Sequence, residues 1–196
     1  MATIILLNKP FRVLSQFTDA RGRSTLADHL RDPGFYPAGR LDYDSEGLLL
    51  LCDDGSLQAR ISSPKYGCWK SYLVQVEGKP DDCALEVLRS GVVLKDGRCL
   101  PARARRVDEP RLWERRPAVE PRAASVSTWL EIAIREGRNR QVRRMCAAIG
   151  FPVLRLVRTA VGDWTLGALQ PGESRRESVH LPSKKARRSG SGKIRG

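Results

Sequence analysis

The chain has 196 residues, 41% hydrophobic and 29% charged, which suits one packed domain and excludes a mostly disordered chain. Its longest apolar run, residues 48–52, is far too short to span a bilayer, and no secretory signal opens the sequence. The charge is lopsided, with 35 Lys and Arg against 22 Asp and Glu, a net +13. Six of those charges lie in residues 182–196, where Lys184, Lys185, Arg187, Arg188, Lys193 and Arg195 have no acid among them. Six more lie in residues 135–158, where seven Arg face only Glu136. That distribution predicts a polyanionic partner, nucleic acid first, because neutralised phosphates release counterions.

Residues 3–7 read as a β-strand stopped at Asn8-Lys9-Pro10, and residues 12–15 as its continuation after the turn. Ser24 is placed to cap a short helix over residues 25–30. The apolar run at residues 47–52, closed by Asp53-Asp54-Gly55, predicts a buried strand, with a helix over 57–62 capped by Ser56. Residues 72–77 alternate as a strand, and residues 81–89 form a helix that turns Ala84, Leu85 and Leu88 inward. Lys95-Asp96-Gly97 signals a hairpin between strands at 92–94 and 99–107. Residues 108–124 lack periodicity and read as a surface excursion; 128–134 alternate as a strand covered on both faces. An arginine-rich helix over 139–149 stops at Gly150, and strands at 153–159 and 163–166 follow. Residues 182–196 read as a basic, disordered tail behind a domain of residues 1–181. The pattern is α+β, with a mixed, mostly antiparallel sheet and short flanking helices.

Five cysteines, Cys52, Cys68, Cys83, Cys99 and Cys146, form no C-x-x-C pair and read as small hydrophobes in a reducing, cytoplasmic compartment. Two histidines, His29 and His180, stand far apart, so no metal-ligand spacing exists and no metal is expected. Catalysis on this chain falls to carboxylates, tyrosines and arginines.

The turn Arg40-Leu41-Asp42-Tyr43-Asp44-Ser45-Glu46 carries three acids at alternate positions. A calcium loop begins similarly, but a leucine-rich strand stands where further ligands belong and no helix enters. Asp44 and Glu46 suit a structural role, supporting the turn and pairing with Arg40. Asp42 is either another such acid or a nucleophile or base set among arginines. Spacing alone leaves that open.

Gly39-Arg-Leu-Asp42 followed by Asp44-Ser-Glu-Gly47 and four leucines resembles the active-site signature of RNA pseudouridine synthases, in the branch that modifies ribosomal RNA. Lys70-Ser71-Tyr72 resembles the family's K-x-Y motif, and residues 136–145, EGRNRQVRRM, resemble its third motif. Asn8-Lys9-Pro10 also fits, and the resemblance runs from about residue 4 to 179. Leu14-Ser15-Gln16-Phe17-Thr18-Asp19 and Asn139-Arg140-Gln141 resemble a large-subunit subgroup that starts at the catalytic domain, without an N-terminal RNA-binding module. The resemblance implies isomerisation of a uridine in 23S ribosomal RNA by a monomer, without cofactor.

By the same resemblance, Asp42 acts near C1′ of the ribose. Tyr72 stacks on the flipped uracil and serves as base for its C5 proton, and Arg143 pairs with Asp42. Val142 floors the uracil, and Arg40 fills the gap left in the RNA stack. Arg138, Arg140, Arg144, Arg155 and Arg158 are phosphate candidates. Two other classes compete: a non-catalytic ribosome-assembly RNA-binding protein, and a carboxylate-pair hydrolase. The trio Asp42, Tyr72 and Arg143 favours the isomerase, and the basic surface disfavours a neutral sugar.

Overall fold

The computed structural model describes residues 1–119 and 126–180. The basic segment 182–196 lies outside the described residues. Strand β1 (Ala2–Lys9) is buried on both faces: Ile4 and Leu6 enter one core, Ile5 and Leu7 the other. Strand β3 (Glu46–Cys52) repeats this with Leu48 and Leu50 against Leu49 and Leu51, which is why its apolar run is continuous rather than alternating. Between them runs β2 (Tyr36–Pro37), a two-residue strand paired with β3. Helix α1 (Gly55–Ser62) follows, capped by Asp54, whose carboxylate accepts from Leu57 N; the expected cap, Ser56, lies two residues later, inside the first turn.

The second half of the sheet comes from β4 (Lys70–Glu77), β7 (Arg103–Val107), β8 (Ser127–Ile134) and β9 (Val153–Val161). Helices α2 (Asp82–Ser90) and α3 (Gln141–Ala148) pack on one face of it, through Leu85 and Leu88 and through Val142, Met145 and Cys146. Strand β10 (Trp164–Thr165) pairs with β9, and β11 (Ser174–Val179) adds to the outer edge of β1. The order is β11-β1-β3-β9-β4-β8-β7. Among the described residues every strand pairs antiparallel except β3 with β9, a short parallel join at Glu46–Val157 and Gly47–Arg158. The α+β, mostly antiparallel reading therefore holds.

Several expectations are corrected. The short helix near residue 26 is a 3-10 turn (Leu26–Asp28) capped by Thr25, not Ser24, because Asp28 answers Thr25 in a reciprocal capping box. Residues 12–15 do not continue the sheet and make only an isolated bridge at Leu14–Thr25. The hairpin at Lys95-Asp96 joins only β5 (Val93–Leu94) to β6 (Gly97–Arg98); Pro101 interrupts the run, and β7 pairs with β8 instead. Within 108–119, Leu112 and Trp113 pack against the second core rather than passing over the surface. The five cysteines are all free.

Candidate active site

The parallel join of β3 and β9 sets the geometry of the site. The turn at residues 39–45 enters β3 at one end of that join, and β9 brings Arg158 beside Tyr72 of β4. Thr159 is an extra residue in β9, since Ala160 opposes Ser71 and Arg158 opposes Tyr72; a bulge at such a place re-aims side chains. The N-terminus of α3 closes the third side. The result is a cleft of about 580 Å³ whose walls include Asp42, Tyr72 and Val142.

The residue before Asp42 is pinned from both sides. Ser15 Oγ accepts from Leu41 N at 3.1 Å and donates to Leu41 O at 2.8 Å, and Leu41 itself is buried. Asp42 is left part-exposed at the cleft wall, with Arg140 Nη1 at 3.8 Å from its Oδ2. Tyr72 is 7% exposed, and its hydroxyl meets no partner among the described residues. Val142 is buried beneath the same cleft.

The arginines of the third motif do not go where the resemblance sends them. Arg143 pairs with Asp44 rather than Asp42: its Nη2 donates to Asp44 O at 2.6 Å and its Nε lies 3.4 Å from Asp44 Oδ2. Arg140 holds the same carboxylate with two hydrogen bonds of 2.8 Å. Arg143 reaches Asp44 from the first turn of α3, and Arg140 from the left-handed residue just before the helix (φ +47°), so both guanidinium groups meet one acid. Burial alone would raise the Asp44 carboxyl, but the Arg140 hydrogen bonds and the Arg143 charge outweigh it and hold it below its ordinary value.

Glu46 is buried and accepts from Arg155 Nε and Nη2 at 3.0 Å each and from Trp113 Nε1 at 2.8 Å. Neither it nor Asp44 pairs with Arg40, which is exposed at the cleft. With both acids saturated by arginines, no calcium loop forms here. Arg155, one of the phosphate candidates, is thereby corrected to an interior partner of Glu46 and the Trp113 carbonyl. Arg158 is also buried, donating to Leu48 O at 2.7 Å, yet it lines the cleft with Nη2 unpartnered. Arg138 lines the cleft while its guanidinium caps the Gly97 and Arg98 carbonyls and meets Glu136. Arg144 lies outside, in a two-bond pair with Asp96.

Three polar residues beside the site carried no role in the sequence reading. Lys9 is fully buried and donates to Pro10 O and Val13 O at 2.8 Å; burial pulls its amine down to about 7, with Glu46, Asp44 and Asp42 partly offsetting that. Lys70 and Ser45 line the cleft, and the Ser45 hydroxyl is buried without a partner. Each sits inside one of the resembling motifs, which was the available signal.

The chain that carries this site is similar to known proteins. The RNA pseudouridylate synthase family profile matches residues 3–148, most of the chain. The chain belongs to that family, whose members isomerise uridine to pseudouridine in RNA. It is 57% identical over 180 residues to ribosomal large subunit pseudouridine synthase E of Vibrio vulnificus, covering 92% of this chain and 76% of the relative. The counterpart of the same name from Xanthomonas campestris pv. campestris is 53% identical over 175 residues, covering 88% of this chain and 94% of that one. A solved pseudouridylate synthase structure superposes with a TM-score of 0.76 at 30% identity, covering 91% of this chain and 71% of the other.

Proposed function

We propose that this chain converts a uridine of large-subunit (23S) ribosomal RNA to pseudouridine, with Asp42 as the reacting carboxylate. The relatives' names supply the rRNA class. The observation that carries the mechanism is that Asp42, Tyr72 and Val142, one from each motif, line a single cleft. The target base leaves its stack at a cost of a few kcal/mol and enters that cleft. Asp42 acts at C1′ as the N1–C1′ bond breaks. The freed uracil turns, held between the Tyr72 ring and Val142, and C5 bonds to C1′. Tyr72 then takes the C5 proton as its own phenolic proton passes on to N1, which kept the electron pair of the broken bond, and the C–H electron pair restores the ring. Arg140 and Arg143 act on this turn through Asp44, fixing the loop on which Asp42 stands. Arg40, Arg138, Arg140 and Arg158 remain the cleft-side candidates for RNA contact.

Tritium release from C5-labelled uridine in rRNA tests the reading, with filter retention for affinity and circular dichroism for folding. Asp42→Asn keeps the shape but cannot act as nucleophile or base, so release falls below detection while RNA binding stays near wild type. Tyr72→Phe keeps the stack and slows turnover. Robust release by folded Asp42→Asn protein would defeat the mechanism. Pseudouridine maps of rRNA that do not change when the protein is removed from cells would defeat the substrate.

A further inference from the structure

We infer that Trp69, Arg103 and Arg135 form a second RNA-contacting surface, outside the cleft, that takes a nucleotide flanking the target uridine. The inference rests on the proposed rRNA reading and extends it to residues with no part in the chemistry.

The register places these residues together. Lys70 opposes Ile134 and Ser71 opposes Ala133, while Ala133 also opposes Arg103 on its other side. One step beyond, Trp69 comes level with Arg135. Side chains alternate across a strand, so with Lys70, Tyr72 and Ile134 turned to the cleft, Trp69, Arg135 and Arg103 share the opposite face. The Arg103 guanidinium lies 4.3 Å from the Trp69 ring centroid and that of Arg135 lies 5.0 Å from it.

The charge on this surface is unspent. Both arginines are exposed, Trp69 is half-buried, and neither guanidinium has a carboxylate within ion-pair reach among the described residues. Arg105, on the same face of β7, is by contrast paired with Glu131. Two cations gathered on one ring repel each other, and an anion between them relieves that repulsion. Beside them Ser71 and Ala133 line a depression of about 520 Å³, bordered by Arg89, Arg103 and the Arg105–Glu131 pair, whose charges cancel. Small side chains there leave room for a flat base next to an aromatic and two guanidinium planes, the combination that holds single-stranded RNA by stacking and phosphate contact.

Position selects RNA over other anions. Trp69 and Arg135 are each one residue, about 3.3 Å along the strand, from cleft-lining Lys70 and Ile134. A strand with one base in the cleft carries its neighbour around this strand end. An acidic protein segment has no such reason to lie here.

The test uses the full chain and an rRNA fragment that the wild type modifies. For the double variant Arg103→Gln with Arg135→Gln, Kd and KM rise and kcat is unchanged. The slope of log Kobs against log salt shrinks by about 1.4–1.8, for two phosphates at 0.7–0.9 each. Trp69→Leu weakens binding about 5–150-fold through lost stacking and leaves the salt slope alone. Thermal melting confirms that each variant is folded. Unchanged Kd and slope in the folded double variant would overturn the surface. Unchanged RNA binding with lost binding of a polyglutamate probe would assign it to an acidic protein instead. Absence of tritium release by the wild type on any rRNA would strike the functional reading, while the binding slopes still judge this surface separately.

Discussion

Three acids at alternate positions of one turn have three different fates, decided by what each side chain meets. Asp42 faces the cleft, Asp44 is clasped by Arg143 of α3 and by Arg140 just before it, and Glu46 is sealed under Trp113 with Arg155. Among the described residues only the first has a carboxylate that accepts no hydrogen bond, its nearest cation being Arg140 at 3.8 Å. Glu46→Ala leaves the Arg155 guanidinium buried without its acid and the Trp113 indole without its acceptor, which costs about 3–5 kcal/mol of stability. Lys9 suffers as well, because Glu46 contributes the largest of the attractions that offset its burial. Replacing both partners, Glu46→Leu with Arg155→Met, removes both charges and recovers part of the loss, the remainder belonging to Lys9. Urea unfolding of the three proteins measures this. A single-variant loss below about 1 kcal/mol would mean that the pair is not what ties the turn to β9.

At the scale of elements, the join between β3 and β9 depends on a missing side chain. Gly47 has φ +99°, and a Cβ there would sit 2.3 Å from the Arg158 carbonyl oxygen and 2.8 Å from its nitrogen. Both atoms are backbone, so the strands themselves have to part. Gly47→Ala should cost about 3 kcal/mol or more, combining strain at positive φ with overpacking. Because that join aligns the Asp42 turn with Tyr72 and Arg158, activity should fall even at temperatures where the variant is folded. Parallel melting curves and tritium-release assays check this, and wild-type values in both would show that the join is not tight. The same scale shows what the sequence could reveal. Interior strands announced themselves, since β1, β3, β4, β8 and β9 bury apolar side chains. Strand β11 did not: Ser-Arg-Arg-Glu-Ser-Val has no apolar face, as suits an edge strand that discourages further pairing. The motifs named Asp42, Tyr72 and Arg143 but gave Arg143 to Asp42, whereas it meets Asp44, 99 residues away in sequence; alternate acids on one turn look alike until the fold decides which faces the arginine. Arg140, in a left-handed conformation just before α3, reaches the same acid. No local pattern encodes that choice.

Over the whole molecule, folding redistributes the charge that composition places in two clusters. Of the seven arginines in residues 135–158, Arg138, Arg140, Arg143, Arg144 and Arg155 each meet a carboxylate outside that segment, Arg138 sharing itself between Asp96 and Glu136. The internal cluster is therefore largely neutralised, whereas residues 182–196 add six basic side chains and no acid to counter them. That surplus predicts that the tail accounts for more of the salt dependence of RNA binding than any single arginine of the folded region. Each neutralised phosphate contributes about 0.7 to the slope on single strands and 0.9 on duplex. If all six basic side chains meet phosphates, deleting residues 182–196 flattens the slope by up to about 4–5. Arg144→Gln changes it by less than one, because that charge is already shared with Asp96. KM should rise at physiological salt and converge on the full-length value at low salt, where the folded surface alone suffices. Turnover at saturating RNA should be unchanged, because residues 14–161 supply the cleft walls that hold Asp42 and Tyr72. Filter-binding titrations over a potassium chloride series, run beside steady-state tritium release, separate the two effects. An unchanged slope in the truncated protein would mean that the tail does not touch RNA. A lower kcat would place it in the chemistry instead.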